Sequence, residues 1–516
     1  MLRATGAAMV FLPSFSVLKT IARFMAVTAT MAGLMAAGCR AQGPQPERAA
    51  ADSFSPSGTR SLRAYGAVGD GRADDTASLK RALSEAGRYC LDGEGQTYRV
   101  TGTLRVETSL CLRNLTIVQS LVPFDTRPFI THSCPVEPNA DAVEDCGDPE
   151  VPPAAMTPLG KSLGVRTLFI RSDKGAPIRV ILDHVKIVRG QFPEGGSRTD
   201  SAGIWLEGAA AANLRNVEVT GAGKGYGLIV LRSRDVSVDN LWVHDIVWAP
   251  YAGDAPLSRD RVAAIGWNSV PIHEFRQTGK GGVHGSKFYG VRVQEQVTCA
   301  MFSEVRNVTI RNPRISRCMA RFQDGDLPWQ ADGLDISRSS SNVSVIAPVI
   351  DSTWEGMDVV GNGSGIDGLL ISNPRVSNSF GFGLKVGHEV RNVRILNPTI
   401  SRAGIAGIVL YGDVSGASIS GASMSGIGAV SANGRTFVPW QKESRSGIRI
   451  QQGPAATAAR RAAPQNVTID NADIEGSSSA LDFGLLNTGG TDVRVRGLRA
   501  TGFRKAAAAG VRAQSD

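Results

Sequence analysis

The sequence predicts an all-β chain, a single-stranded right-handed parallel β-helix with a short N-terminal capping helix. Three observations lead there. First, an alternating apolar tag recurs: Asn114 to Ile117, Asn216 to Val219, Asn307 to Ile310, Asn342 to Val345, Asp367 to Ile371, Asn392 to Ile395 and Asn466 to Ile469. From 342 to 367 to 392 the step is 25 residues, and a period of this size marks a repeat architecture. Second, a Gly-apolar-X-apolar tag falls in register with it, starting at Gly203, Gly227, Gly333, Gly356, Gly383, Gly407 and Gly447. Alternate residues of a strand point to opposite faces, so the aliphatics face inward and X faces out. Third, glycine is 59 of 516 residues while aromatics are 6%, a bias toward turns and small side chains. No helical stretch separates the tags, which favours coils of short strands over a leucine-rich horseshoe. Asn at the repeated turns would stack as a ladder along the solenoid.

In chain order, residues 1–39 read as an export signal. Arg3, Lys19 and Arg23 precede an apolar, small-residue run from Phe24 to Gly38. That run is shorter than the roughly 20 residues of a membrane span. Ala36-Ala37-Gly38-Cys39 resembles a bacterial lipoprotein cleavage box, which makes Cys39 the expected lipidated residue, although Leu34 sits two places further away than usual. Cleavage after a nearby small residue, without lipid, is the alternative. Residues 40–60, rich in Pro, Ser, Gly and Ala, read as a flexible tether. The β-helix is expected over 61–505, with 506–516 a tail or short capping helix.

At its start, Ala64-Tyr65-Gly66-Ala67-Val68-Gly69-Asp70-Gly71 and Asp74-Asp75-Thr76 precede an amphipathic stretch with Leu79, Ala82, Leu83 and Ala86. Asp74 or Asp75 is placed to cap that helix, where the first backbone N–H groups lack partners. This segment resembles the N-terminal cap of secreted proteins of the pectate-lyase superfamily, among them polygalacturonase-like and rhamnogalacturonase-like glycosidases, lyases, epimerases and phage tailspikes. The resemblance implies the same parallel β-helix. It leaves the reaction open, because the cap is structural in those proteins.

Two stretches interrupt the repeat. Residues 121–163, with many prolines, and 249–290, with Trp267, His273 and His284, read as loop insertions; such loops often line a solenoid's binding face. Besides Cys39 there are six cysteines, Cys90, Cys111, Cys134, Cys146, Cys299 and Cys318. An exported chain could form three disulfides from them, and pairing by proximity gives 90–111, 134–146 and 299–318. No Cys-x-x-Cys occurs, which argues against a zinc or thioredoxin-type site.

The functional reading rests on residues 331–388. With strands about 4.8 Å apart, Asp335 and Asp358 become adjacent rungs, with Lys385 next to Asp358. Asp332 and Glu355 form a second adjacent pair. Four carboxylates this close either share protons or gather a cation. Trp329, Trp354, Phe382 and Tyr411 flank them, and aromatics beside carboxylates suit sugar-ring stacking. His388, just past Lys385, is a further substrate-contact candidate. His244-Asp245, between Trp242 and Trp248, is a second patch several coils away.

Two chemistries use such a patch. In one, Asp332, Asp335, Glu355 and Asp358 bind Ca²⁺, and Lys385, its pKa lowered by desolvation, abstracts the C5 proton of a uronate for β-elimination. This resembles the calcium-dependent β-helical lyases. In the other, Asp332 and Glu355 act as acid and base in glycoside hydrolysis. This resembles polygalacturonase-type hydrolases, whose Asn-Thr-Asp-Gly lines up with Gln330-Ala331-Asp332-Gly333. Their paired Asp falls on Trp354-Glu355, their Gly-His-Gly on Gly381-Phe382-Gly383, and their Arg-Ile-Lys on Val409-Leu410-Tyr411. The lost His and cations argue against a standard member of that group. C5-epimerisation begins with the same proton abstraction as elimination.

Net charge is +9 with pI about 9.3, which suits an acidic partner. The expected partner is an acidic polysaccharide, not nucleic acid, with the membrane reached only through a lipid anchor. The leading expectation is an exported polysaccharide lyase at the periplasm or cell surface. A glycosidase is the alternative, and a non-catalytic glycan-binding surface protein a third.

Overall fold

The protein is represented by a computed structural model that describes residues 54–120, 130–135, 161–172, 176–190, 202–221, 226–246, 273–277, 281–284, 287–290, 299–316, 332–361, 364–429, 445–453, 462–477, 481–507 and 512–513. Cys39, Cys146, Cys318, Trp329, Trp248 and Trp267 lie outside these residues, as do the export segment and most of both proposed insertions. Among the described residues no helix is long and apolar enough to cross a membrane.

The repeat becomes coils of three strands. One coil runs Glu355–Val360, Ile366–Ser372 and Arg375–Ser379, and the next runs Phe382–Gly387, Val390–Leu396 and Thr399–Ala403. First strands stack into a 14-stranded sheet; the others join a 22-stranded sheet. Pairing along the solenoid is parallel, as in Asp367↔Arg391 and Val376↔Ile400. This is the expected parallel β-helix, right-handed by the rule for parallel crossovers. Its interior is filled by alternate residues of each strand: Leu334, Ile336, Met357, Val359, Leu384 and Val386 are all 0% exposed. Each such side chain contributes roughly 1.5–3 kcal/mol on burial.

The tag glycines answer a packing demand rather than a turn. A Cβ on Gly356 would lie 2.4 Å from the carbonyl oxygen of Gly383 on the next coil and 2.4 Å from Val376 Cγ1. The wall approaches itself too closely there for any side chain. The tag Asn residues do mark bends. Asn216, Asn240, Asn307, Asn342 and Asn392 have φ between 52° and 57°, a left-handed conformation that Asn tolerates better than most residues. Their amides bond along the axis, Asn240 donating to Asn216 at 2.8 Å and Asn342 to Asn307 at 3.0 Å. The expected Asn ladder is present.

At the N-terminal end the expected helix spans Thr76–Leu83. Its two candidate caps divide the work. Asp74 accepts from the Thr76 N–H at 3.0 Å, whereas buried Asp75 accepts from the Val68 and Gly69 N–H groups and ties down the preceding turn. Cys90 and Cys111 are register partners on adjacent rungs and form a disulfide. Cys299 is also disulfide-bonded.

Three boundaries differ from the sequence reading. A strand begins at Thr59, inside the proposed tether, because Thr59–Ser61 pairs with Cys90–Asp92. The segment read as a loop over 249–290 contains strands His273–Gln277, Gly281–His284 and Lys287–Gly290. They continue the coil, in the register Val238↔Val283 and Val243↔Phe288. The end is not helical where described: Phe503–Ala507 and Arg512–Ala513 are strands, because Phe503 and Arg512 still find rungs to pair with.

Candidate active site

The predicted cluster assembles on three consecutive rungs of the 14-stranded sheet. Strand Asp332–Ser337 pairs with Glu355–Val360 in the register Asp332↔Glu355 and Asp335↔Asp358. The latter strand pairs with Phe382–Gly387 in the register Asp358↔Lys385. Inward aliphatics lock each strand, so the residues between them can only project from the outer wall.

That wall is nevertheless closed over. Asp332 is 5% exposed, Glu355 3% and Asp358 7%. Carboxylate oxygens of these three lie within 4.8 Å of one another. The Lys385 ammonium donates to Glu355 Oε2 at 2.9 Å and to Asp358 Oδ2 at 3.0 Å. Asp335 shares the face but stands outside this convergent trio.

Like charges about 4 Å apart repel by about 4 kcal/mol even at an effective dielectric of about 20. One lysine, bonded to two carboxylates, cannot neutralise three. The remaining group is Asp332, whose buried Oδ1 has no hydrogen-bond partner. Burial, followed by the charges of Glu355 and Asp358, pushes its carboxyl well above the ordinary Asp value. Of the three acids, Asp332 is the one whose surroundings favour the protonated form.

Lys385 moves opposite to the sequence expectation. Burial does work against its charge, but Asp358 and Glu355 outweigh burial and hold its ammonium well above the ordinary Lys range. The expectation that desolvation leaves Lys385 with a lowered pKa is therefore corrected. The desolvation was legible; the short contacts that oppose it were not.

The trio's oxygen spacing could hold a metal ion. Carboxylate oxygens are the ligands calcium takes, and an ion there would compete with Lys385 for them. The ammonium already takes two of the three carboxylates.

Among the aromatic candidates, Phe382 joins Ile405, Ala406, Val409 and Tyr411 in a small apolar cluster separate from the core. Tyr411 borders the charges, its ring 5.7 Å from Lys385 Nζ. His388 packs edge-on to Tyr411 at 4.4 Å, so it buttresses that ring from a turn with φ of 49°. Trp354 is 7% exposed and leads directly into Glu355. Ile405 escaped the sequence reading, and Val409 entered it only as the position where the hydrolases carry a cation, because on an alternating strand an outward Val reads as surface. The register Lys385↔Val409↔Arg449 also places Arg449 on this wall, where it is 2% exposed.

No family model matches the chain, and no curated protein sequence matches it. Several solved structures are similar at low identity. The pre-mature gene product 12 of bacteriophage phi29 is 11% identical, TM-score 0.49, over 87% of this chain and 56% of that one. This chain thus spans little more than half of that protein's length. The A-module of the mannuronan C-5 epimerase AlgE4 of Azotobacter vinelandii is 11% identical, TM-score 0.45, over 88% of this chain and 100% of that one. A Family 28 exopolygalacturonase of Yersinia enterocolitica is 11% identical, TM-score 0.43, over 88% of this chain and 79% of that one. None of these likenesses bears on the reaction, and the assignment as a parallel β-helix stands on the strand pairing itself.

Proposed function

We propose that this chain is a carbohydrate-active enzyme that hydrolyses a glycosidic bond of an acidic polysaccharide at the Asp332–Glu355–Asp358–Lys385 cluster. One observation carries the reading: three buried carboxylates converge, and a lysine is bonded to only two of them. Environments that push neighbouring titratable groups apart define an acid and a base. Asp332, kept protonated, donates to the glycosidic oxygen as the C–O bond breaks. The oxygens of Asp332 and Glu355 lie within 4.8 Å, too close to hold a water between them, so Glu355, bonded to Lys385, forms the new bond to the anomeric carbon; water then displaces Glu355 and gives its proton to Asp332. The aromatics Trp354, Phe382 and Tyr411 border the site and suit sugar rings. The net charge of +9 draws a polyanion toward the protein.

Calcium-assisted β-elimination is the second reading, favoured by the oxygen spacing of the trio. It requires a divalent ion to displace the Lys385 ammonium from Glu355 and Asp358, which would also free that amine to act as a base. Product analysis separates the two on alginate and polygalacturonate. Hydrolysis yields reducing ends without ultraviolet absorbance and persists in EDTA. An unsaturated, absorbing product that disappears in EDTA sinks the hydrolytic reading. Neither product, with the polymer still bound, indicates a glycan-binding surface protein.

Export and lipidation at Cys39 belong to the same proposal, supported by the basic-apolar N-terminus and the Cys90–Cys111 disulfide. Cys39→Ala should move the protein from the membrane to the soluble fraction. Unchanged fractionation would remove the anchor.

A further inference from the structure

We propose that Lys186, Glu218, Thr220, Trp242 and His244 form a second, non-catalytic glycan site that stacks one pyranose ring on the Trp242 indole. These residues sit on three consecutive rungs of the 22-stranded sheet, in the register Lys186↔Glu218↔Trp242 and Thr220↔His244. The acid cluster belongs to the other sheet, so this site is separate from it.

Among the described residues, Trp242 and Val68 are the exposed large hydrophobics, Trp242 at 38%. Its ring is held in place. His244 stacks on it with centroids 4.0 Å apart and planes 22° apart. His244 Nε2 lies 3.1 Å from Glu218 Oε1, and Nδ1 lies 3.4 Å from Thr220 Oγ1. Lys186 Nζ reaches the same Glu218 oxygen at 2.7 Å.

Leaving indole area in water forfeits about 25 cal/mol per Å². Here a polar buttress fixes the ring in that exposed position, so little rotamer freedom is lost when a ligand arrives. A protein-docking surface would present a contiguous apolar patch of several hundred Å². Among the described residues this is one exposed aromatic bordered by an ammonium, a carboxylate and a hydroxyl. That combination fits a pyranose, whose C–H face packs on an aromatic ring while its hydroxyls meet polar neighbours. Lys186 and the overall positive charge favour an anionic sugar over a neutral one.

The test is affinity electrophoresis of the full chain in native gels containing alginate, polygalacturonate or neutral laminarin. At least one polyuronate should retard the wild type more than laminarin does. Trp242→Ala should weaken that binding about tenfold, matching the roughly 1.4 kcal/mol of a good aromatic stack. Trp242→Phe, which keeps a stackable ring, should retain most of it, and Val68→Ala, at the other exposed large hydrophobic among the described residues, should leave it unchanged. Far-ultraviolet circular dichroism confirms that each variant is folded. The proposal is overturned if none of the three polymers retards the wild type, or if Trp242→Ala binds as the wild type does. Retardation lost in Asp332→Asn but kept in Trp242→Ala would place all binding at the acid cluster and also overturn it.

Discussion

Two clusters on the outer wall use the same residue types to opposite ends. At Lys186–Glu218–His244 a single carboxylate serves one lysine and one histidine, with side chains 39%, 23% and 15% exposed. Its charges balance, and water reaches them. At Asp332–Glu355–Asp358–Lys385 three carboxylates share one lysine, and the Lys385 side chain is 13% exposed. The second cluster is built from the same outward strand positions, but its acids are under a tenth exposed, so full ionisation of all three is opposed by burial and by their mutual repulsion. Stoichiometry and burial, not residue type, separate a solvated ion pair from a proton-carrying site.

The largest effect expected from this contrast is catalytic. Asp332→Asn keeps the shape and removes the proton donor, so the rate of reducing-end release should fall about 10²–10⁴-fold with the melting temperature maintained. Unchanged turnover would make the cluster a structural charge ladder. Next comes Lys385→Met, which leaves Glu355 and Asp358 buried without their cation. Urea unfolding should show a loss of about 3–5 kcal/mol. A loss under about 1 kcal/mol would mean that the cluster is wetter than its burial indicates.

The third effect concerns pH. Asp332 has a folded-state pKa raised above its ordinary value of 3.8, so the folded state holds this proton where the unfolded state has released it. The group's contribution is fully present below 3.8 and falls as pH rises through the folded value, by at most about 1.4 kcal/mol per pH unit. Asp332→Asn should flatten that part of a stability–pH profile. Lys385, also raised, should contribute until pH exceeds its ordinary 10.5 and lose that contribution above it. A stability that rises with pH across the acid window in wild type but not in Asp332→Asn would reverse the assignment. The smallest effect is expected at the balanced cluster: Lys186→Met should cost about 0.2–1 kcal/mol in urea unfolding, as exposed ion pairs do. A cost equal to that of Lys385→Met would erase the distinction.

Much of the fold was legible in the chain. Alternation of apolar residues and the 25-residue step place Leu334, Met357 and Leu384 on the inside and Asp335, Asp358 and Lys385 on the outside. A slip of one residue would turn every aliphatic to the wrong face. The strands over 273–290 were missed because a short run such as Gly281–His284 carries too few alternating positions to stand out. At the site, Asp332, Glu355, Asp358 and Lys385 could be grouped from register alone. The exclusion of Asp335 from the trio could not, since it depends on where side chains lean above the sheet. The clustering of Ile405 and Val409 with Phe382 was illegible for the same reason.

By itself, then, the sequence determined which residues share a rung and a face, because strand period and coil length are local properties of the chain. Only the tertiary structure decided how those residues are charged. Protonation depends on distances of about 3 Å and on exclusion of water, and both arise from segments packed together across many coils. Hence the sequence suggested a lysine base beside four acids, with Asp332 and Glu355 as the alternative catalytic pair. The folded protein instead bonds that lysine to Glu355 and Asp358 and leaves Asp332 as the acid whose burial and neighbours favour its protonated form.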